Sequence, residues 1–540
     1  MPRQTERPAA ERHARKIGVA LAKGRTPPSS RELDAFAQDG GAVFETLEGL
    51  VAHLAAGDGE DSPLVYGYDY LLRSQLQSLR FQQDRGYDVA IGMLENFQRA
   101  VAGHTTAGRL RGTALSLVAV ALHQAGIVIS ADLTAAIEDT LDDTTEDVPG
   151  TADPGILTGL IESIVELCEG NAFLVASSLM ETAHGMPLEL RTSMAAILTV
   201  SQSAAAREAA VLLLLDPEPA IRSAAAAALE SQPASVSPRS MRRLIAMRNW
   251  RPPAERAEID KIVRAARAHG IDCAGWEPGG AEEILSSGLD GSGAQTSMVV
   301  SPAGRRKRLS SILCKNGLQD AWCGPPEGKS QFRMMLAEAT EEVDLRRVSR
   351  AYLDRVICHG IQVALDAGAC PPAGLLEIAE ALGGADWQPQ RLEWRAVLGE
   401  LLVALPAERR TPAAVAATLA ASDDLVLACP ITDSWFEDDQ EVARIVQRSG
   451  PRSTEEQAAY LLQSVIEQRR EKWAELIVWT AAWLREASAA ESGPEAGAWQ
   501  EFAIVADAVA QGHDLGQIPL METVAYNTAY AMEDAARSAG

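Results

Sequence analysis

Aromatic residues are scarce in this sequence, at 5% of its 540 residues. β-Strands favour aromatic and β-branched side chains, whereas helices favour alanine, leucine, arginine and glutamate. Alanine dominates the composition, and leucine, arginine and glutamate are abundant. The sequence therefore predicts a mainly α-helical protein, and the chain is long enough for several domains or one array of repeats.

Paired cysteines are also lacking. The seven cysteines are scattered, and no two of them form a Cys-x-x-Cys motif. This pattern argues against a disulfide framework and favours buried thiols in a reducing compartment. No apolar secretory segment stands near the N-terminus, so we expect a cytoplasmic protein.

Long hydrophobic runs are few. The longest stretch without a charged residue is Gly112 to Ala131, and His123, Gln124 and Gly126 interrupt it. These residues favour a buried helix followed by a turn over a membrane span. We therefore expect no membrane partner.

Signatures of catalysis and metal binding are missing as well. The sequence contains no Gly-x-Ser-x-Gly elbow and no His-Glu-x-x-His motif, and its eight histidines are dispersed. No catalytic residue, metal ligand or cofactor is predicted on this basis.

The stretch GPPEGKSQF ends in Gly-Lys-Ser, as a phosphate-binding loop does. Such a loop needs a glycine where this sequence has Cys323, and backbone N–H donors where it has Pro325 and Pro326. Glu327 adds negative charge beside the expected phosphate position. The pattern predicts instead a strand-to-helix loop in which Ser330 caps a helix over Phe332–Ala339.

Charge is distributed in blocks, although the net charge is −25. The segment from Gly112 to Leu190 has no lysine or arginine, whereas the segment from Ser237 to Gly270 is strongly basic. An acidic chain does not grip nucleic acid or anionic lipid over its whole surface. We take the following residues as a candidate acidic interaction surface: Asp139, Asp142, Asp143, Glu146 and Asp147.

The basic segment supplies a candidate surface of opposite sign, extended by a second basic cluster near residue 306. Its residues are Arg239, Arg242, Arg243, Arg248, Lys261, Arg264, Arg267, Arg305, Arg306 and Arg308. A basic stripe on stacked helices is suited to a nucleic-acid backbone. The alternatives are a solvated helix face and a dock for the acidic blocks of the same chain.

Four regions are predicted along the chain. Residues 1–29 read as a mobile basic arm, 30–280 as a helical-repeat domain, 281–330 as a β-meander insert and 331–540 as a C-terminal helical domain. In the C-terminal domain Ser453 and Glu456 form a capping box ahead of a tryptophan-rich helix.

Short apolar runs bounded by turn residues predict the meander. They are Thr296–Ser301, Arg308–Lys315 and Leu318–Cys323, and Asn316-Gly317 between the last two is a strong hairpin signal. A small antiparallel meander near 295–323 is therefore expected, packed on helices because an isolated hairpin is marginally stable.

One segment resembles a known repeat family. LLLLDPEPAIRSAAAAALES, residues 212–231, is similar to a HEAT repeat, with Asp216, Ile221 and Arg222 at matching offsets. The resemblance implies stacked helical hairpins forming an α-solenoid. The alternative is an alanine-rich helix in an ordinary helical domain, since a solenoid needs several repeats.

The favoured function is a non-enzymatic interaction scaffold or regulatory adaptor that binds a protein partner, with self-association as an option. A nucleic-acid-binding repeat protein that uses the basic helices over 239–267 is one alternative. An enzyme with a site at the junction of helices and sheet, near Asp290, Arg308 and Asp320, is another. The alanine- and arginine-rich composition suggests a GC-rich bacterial genome.

Overall fold

The chain divides into two compact units. The computed structural model describes residues 8–23, 25, 27–28, 30–56, 62–136, 154–183, 188–450, 452–490 and 497–538. One unit comprises Met1–Ala210 with Asp439–Glu441, and the other comprises Val211–Asp438 with Val442–Gly540. The predicted division into four regions stays a prediction.

The first unit is helical throughout its described residues. Its helices are α1 (Ala9–Leu21), α2 (Arg31–Gln38), α3 (Val43–Ala55), α4 (Pro63–Asp84), α5 (Asp88–Thr106), α6 (Gly112–Gln124), α7 (Pro154–Leu167), α8 (Ala172–Ala183), α9 (Leu188–Val200) and α10 (Ala204–Leu212), the last of which runs across the division.

Helix α1 stands where the sequence predicts a mobile arm. Ala10, Ala14 and Ile17 are fully buried in the core of this unit. A Cβ on Gly18 would lie 1.6 Å from the carbonyl oxygen of Pro63, so only glycine permits this close approach to α4. Apolar side chains spaced by three and four positions give this basic segment a face to bury, so Ala9–Leu21 is a packed helix within the region predicted as an arm.

A capped helix start and the predicted helix of the uncharged run both occur in this unit. Ser30 caps α2, and its Oγ accepts a hydrogen bond from the backbone N–H of Leu33 at 3.3 Å. The uncharged run forms the partly buried helix α6, and Gly126 follows it in a left-handed turn with φ +68°. Across the described residues, no helix has the length and apolarity needed to cross a membrane.

The second unit combines helices with one antiparallel sheet. Its helices are α11 (Pro219–Ser231), α12 (Pro238–Met247), α13 (Arg256–Ala268), α14 (Lys329–Glu342), α15 (Arg350–Asp366), α16 (Gly374–Ala381), α17 (Trp394–Ala404), α18 (Pro412–Ala420), α19 (Asp424–Ala428), α20 (Gln440–Ser449), α21 (Thr454–Leu461), α22 (Arg470–Ala490), α23 (Ala498–Ala510) and α24 (Pro519–Ser538). The strands are β1 (Glu283–Ser287), β2 (Gln295–Ala303), β3 (Arg306–Cys314), β4 (Leu318–Cys323) and β5 (Leu345–Arg347).

The sheet has the order β4-β3-β2-β1-β5, with antiparallel pairing throughout. Strands β2 to β4 confirm the predicted meander inside a mainly helical protein. Asn316 and Gly317 have φ values of +50° and +106°, which only turn residues such as these adopt easily. The prediction missed β1 and β5, which flank the meander and extend the sheet to residue 347.

Helix α14 covers one side of the sheet, where Phe332 packs on Val300 and Leu309. The helix begins at Lys329, and its N-cap residue is Gly328, which has no side chain to accept a hydrogen bond. Ser330 lies inside the first turn, so the prediction that it caps this helix is wrong. The predicted capping box of Ser453 and Glu456 is confirmed at the start of α21.

Candidate functional site

Two arginines of the predicted basic surface are buried. Arg242 and Arg243 on α12 are 5% and 2% exposed, and both pair with Glu380 on α16. Arg243 donates through Nε and Nη2 to the two carboxylate oxygens of Glu380, at 2.8 and 3.0 Å. Burial alone would raise the pKa of Glu380, but the two guanidinium groups together hold it below its usual value. These arginines therefore join α12 to α16.

Two more cations of this surface are paired near the surface. Arg248 donates to both oxygens of Asp260 at 2.6 and 2.7 Å, and this contact lowers the pKa of Asp260. Arg239 donates to Glu277 at 2.6 Å.

The other three candidate-surface residues of this segment, Lys261, Arg264 and Arg267, are exposed on α13. Their spacing of three places them along one side of the helix. The nucleic-acid hypothesis consequently depends on these three residues and on the second basic cluster.

The second basic cluster lies on the hairpin between β2 and β3. Arg305 and Arg306 are exposed, and Arg306 donates to the carbonyl oxygen of Pro326 at 3.4 Å. Arg308 is partly buried, with a guanidinium nitrogen 3.9 Å from Glu377. The candidate acidic surface, Asp139 to Asp147, lies outside the described residues.

Glu377 is the carboxyl group whose burial is least compensated by charge in this part of the molecule. It is 14% exposed on α16, and burial raises its pKa to about 7. Arg308 acts in the opposite direction, but a separation of 3.9 Å is too long for a good hydrogen bond. Glu380 on the same helix further raises the pKa.

A cavity of about 600 Å³ lies at one end of the sheet, within the second unit. Helix α15 lines it with Tyr352, Val356, His359 and Val363, which are spaced by three and four positions and share one helix face. Helix α22 also lines it with residues spaced by three and four positions, namely Lys472, Glu475, Leu476 and Trp479. The start of β2, the end of β3 and the chain just before α17 complete the wall.

The loop between β1 and β2 is fixed by tryptophans. The indole N–H of Trp435 donates to the carbonyl oxygen of Leu289 at 2.9 Å, and that of Trp483 to Ser286 at 3.0 Å. Asp290 accepts hydrogen bonds from the backbone N–H groups of Ser292 and Ala294. The rim of the cavity is therefore held in place by buried indoles and one carboxylate.

The β3–β4 turn is fixed against α15. A Cβ on Gly317 would lie 3.0 Å from the backbone nitrogen of Ala364, and a Cβ on Gly360 would lie 3.0 Å from the Leu318 side chain. Since both positions are glycine, the turn lies directly on the helix. Lys315 and Asn316 thereby reach the cavity.

His359 is neutral at pH 7, because burial in this wall lowers its pKa. Its Nδ1 accepts the backbone N–H of Leu392 at 3.0 Å, so the proton of the neutral ring is on Nε2. The ring lies 5.2 Å from that of Trp479, tilted by 40°. Together they form an aromatic wall that carries one hydrogen-bond donor.

The groups deepest in the cavity are protonated. The Tyr352 hydroxyl accepts a hydrogen bond from the Gln295 amide at 3.1 Å, and burial raises the pKa of this tyrosine. Burial also raises the pKa of Cys314 to about 12. Neither the phenol nor the thiol is therefore a reactive anion near neutral pH.

Most charged groups at the cavity have partners within the chain. Lys472 lies 2.8 Å from Glu437, and Arg391 lies 2.9 Å from Asp366. Glu475 accepts the Trp479 indole N–H at 3.2 Å. The Lys315 ammonium has no partner among the described residues.

The sequence hypothesis of an enzyme site at the junction of helices and sheet, near Asp290, Arg308 and Asp320, stays a prediction. Asp290 shapes the rim, whereas Arg308 and Asp320 are not part of the wall. Burial raises the pKa of Asp320, which accepts the N–H of Ala321. No cluster of three metal-binding side chains occurs in the part of the chain that the structure describes.

The fold is that of a mainly helical protein with an inserted antiparallel sheet, and a cavity of about 600 Å³ lies at one end of that sheet. Residues 187–270 match the family model of the Y4lR second domain, and residues 395–533 match the Y4lR C-terminal helical domain. The chain is also similar to "Uncharacterized protein y4lR" of Sinorhizobium fredii (strain NBRC 101917 / NGR234). The identity is 26% over 384 residues, covering 70% of this chain and 72% of that protein. No solved structure matches the chain.

Proposed function

We propose that this chain is a non-enzymatic regulatory adaptor that binds a small organic molecule in the cavity between β2, β3, α15 and α22. The observation that carries the proposal is the cavity itself. Its volume of about 600 Å³ is that of a typical small-molecule site, and its walls combine aromatic rings with a few polar groups.

Binding is favoured over catalysis by the state of the lining groups. Cys314 and Tyr352 have raised pKa values and are protonated at neutral pH. His359 uses Nδ1 to accept a backbone N–H, so this nitrogen is not available as a general base. A receptor needs shape and hydrogen-bond donors, and the cavity supplies both.

The adaptor role is supported by contacts between successive helical hairpins. Arg222 on α11 donates to Glu255, just before α13, at 2.7 and 2.9 Å. It also donates to the carbonyl oxygen of Asp216 at 2.8 Å. Such links suit the HEAT-like stacking that we propose for this segment, with a protein or a second copy of the chain as partner.

A cytoplasmic location is part of the proposal. All seven cysteines are free thiols, and Cys168 and Cys429 are buried. Free thiols persist in a reducing compartment.

The test is ligand-observed NMR on the full chain with a diverse fragment library. Val356→Trp fills the cavity, and Val403→Trp makes the same change at a position that is 76% exposed. We expect fragments that bind the unmodified chain and Val403→Trp but not Val356→Trp. Trp479→Ala serves as a second variant, should Val356→Trp lose its helical circular dichroism.

The absence of any bound fragment, or equal binding by the Val356→Trp protein in its folded state, would overturn the proposal. The adaptor role is then tested by capturing partners from extract at low and moderate salt, with and without nuclease and a bound fragment. We expect a protein partner that resists nuclease and whose recovery changes with the fragment. Capture that depends on nucleic acid would support the nucleic-acid alternative instead.

A further inference from the structure

We infer that the molecule bound in this cavity is a planar aromatic acid, whose ring lies against Trp479 and His359 and whose carboxylate meets Lys315. The inference rests on the proposed ligand-binding function and names the class of ligand. Its basis is the set of polar groups that the fold leaves without internal partners.

The first observation concerns the hydrogen-bond partners of the polar side chains on the cavity wall. Gln295 and Tyr352 bond to each other, and Gln295 also donates to the carbonyl oxygen of Ser287 at 2.9 Å. These two side chains are consequently satisfied without a ligand. A ligand that displaced them would leave buried polar groups unpaired, at a cost of about 1–3 kcal/mol each.

The second step concerns the charges. Glu475 accepts the indole N–H of Trp479, and Glu393 lies 3.8 Å from Arg391. Both carboxylates on the wall therefore have a donor or a cation nearby. The Lys315 ammonium has neither among the described residues, although the turn that carries it is fixed on α15. The charged lining group without any hydrogen-bond partner is therefore an ammonium, and a bound acid compensates it.

The third step concerns the neutral donor. His359 carries its proton on Nε2, and no described residue accepts a hydrogen bond from that nitrogen. A donor and an ammonium on the wall of one cavity favour a ligand that is rich in acceptors. The ring pair of His359 and Trp479, with its centroids 5.2 Å apart, offers flat surface to an aromatic molecule.

The experiment measures the affinity of the full chain for four probes by isothermal titration calorimetry. The probes are 2-naphthoate, its neutral amide, the cation 2-naphthylmethylammonium and the non-planar decahydro-2-naphthoate. We expect 2-naphthoate to bind at least about tenfold more tightly than the amide and the cation, since one charge-assisted hydrogen bond is worth about a factor of ten. The decahydro acid keeps the carboxylate and should bind more weakly than 2-naphthoate, because it has no flat ring to lie against Trp479 and His359.

Lys315→Gln isolates the charge. This variant should lose about tenfold in affinity for 2-naphthoate and retain its affinity for the amide. Lys329→Gln removes an exposed lysine outside the cavity and should change neither affinity. Raising the salt concentration should weaken the binding of the acid more than that of the amide, because only the acid forms an ion pair.

Three outcomes overturn the inference. One is tighter binding of the cation, which would assign recognition to Glu475. Another is equal binding of acid and amide, and the third is an unchanged affinity in Lys315→Gln. In a further outcome, none of the four probes binds, but fragments of other chemistry bind the unmodified chain and not Val356→Trp. That outcome would refute the aromatic acid and leave the ligand-binding function standing. Absence of any cavity-dependent binder would refute both.

Discussion

The helical segment around Arg222 and the cavity beside Lys315 belong to the same compact unit but treat positive charge in opposite ways. In the helical segment, Arg222 and Arg251 are 1% and 0% exposed, and both donate to Glu255. At the cavity, Lys315 is partly exposed and has no partner among the described residues.

This difference separates charges that hold the fold together from charges that remain for a ligand. A buried guanidinium is tolerated only when a carboxylate and hydrogen bonds replace its water. A partly exposed ammonium keeps some of its water, so leaving it unpaired costs little free energy. The buried arginines of the predicted basic surface therefore stabilise the fold and are not available to a partner. The candidate for ligand recognition is instead Lys315, which lies in a turn.

The largest loss of stability is expected when Glu255, the carboxylate to which both Arg222 and Arg251 donate, is replaced. Glu255→Gln leaves the buried Arg222 without its paired carboxylate, whereas Arg251 retains Glu258 at 2.9 Å, so we expect a loss of about 3–5 kcal/mol in the free energy of unfolding. Urea denaturation at pH 7 measures it. Glu277→Gln removes the exposed partner of Arg239 and should cost less than about 1 kcal/mol. Equal effects of the two substitutions would contradict the distinction between buried and exposed pairs.

The next largest change in stability is expected for Glu377, and this change depends on pH. Burial raises its pKa from 4.5 to about 7, so its contribution to stability is complete below pH 4.5 and is lost as the pH rises through 7. Since tenfold in an equilibrium constant is about 1.4 kcal/mol, the ionised carboxyl destabilises the fold by about 3 kcal/mol. Glu377→Gln should therefore stabilise the protein by about this amount at pH 8.5 and by almost nothing at pH 4.5.

Urea denaturation at the two pH values measures the free energy of unfolding of the variant and of the unmodified protein. The contributions of the other titrating groups cancel in the difference between the two proteins. Glu338→Gln, an exposed position on α14, is the matched control and should show no such dependence. A constant difference across this pH range would mean that Arg308 or water compensates the charge of Glu377.

A smaller effect is expected inside the cavity wall. Tyr352→Phe removes the hydroxyl that pairs with Gln295 and leaves the amide short of one partner. We expect a loss of about 1–2 kcal/mol in the free energy of unfolding, measured by urea denaturation. Tyr530→Phe, at a tyrosine that is 53% exposed, should be neutral. If both variants matched the unmodified protein, water would be replacing the hydroxyl.

The sequence was sufficient for features that depend on local chemistry. The low aromatic content, the Asn316-Gly317 turn and the capping box of Ser453 and Glu456 predicted the mainly helical class, the meander and a helix start. Each of these signals acts over a few residues. Strands β1 and β5 escaped notice because they are short and are stabilised by pairing with each other across some sixty residues of chain.

The candidate site was predictable only as a region. Its wall joins residues from position 289 to position 479, and no local motif marks Lys315 or His359. Likewise, the sequence shows how many arginines the basic segment holds but not what they contact. Arg242 and Arg243 both pair with Glu380, which lies more than a hundred residues away along the chain.

The smallest effect is expected on α13, where Lys261, Arg264 and Arg267 are exposed. Replacing all three with glutamine should change the free energy of unfolding by less than about 0.5 kcal/mol per position, because solvated charges contribute little to stability. Fluorescence anisotropy with a labelled DNA duplex, at low and moderate salt, measures the other consequence. Since Arg242 and Arg243 of α12 are committed to Glu380, we expect weak binding by the unmodified chain and the same weak binding by the variant. Steeply salt-dependent binding that the variant loses would instead show that these three cations contact phosphate, and would make the exposed face of α13 a second recognition surface.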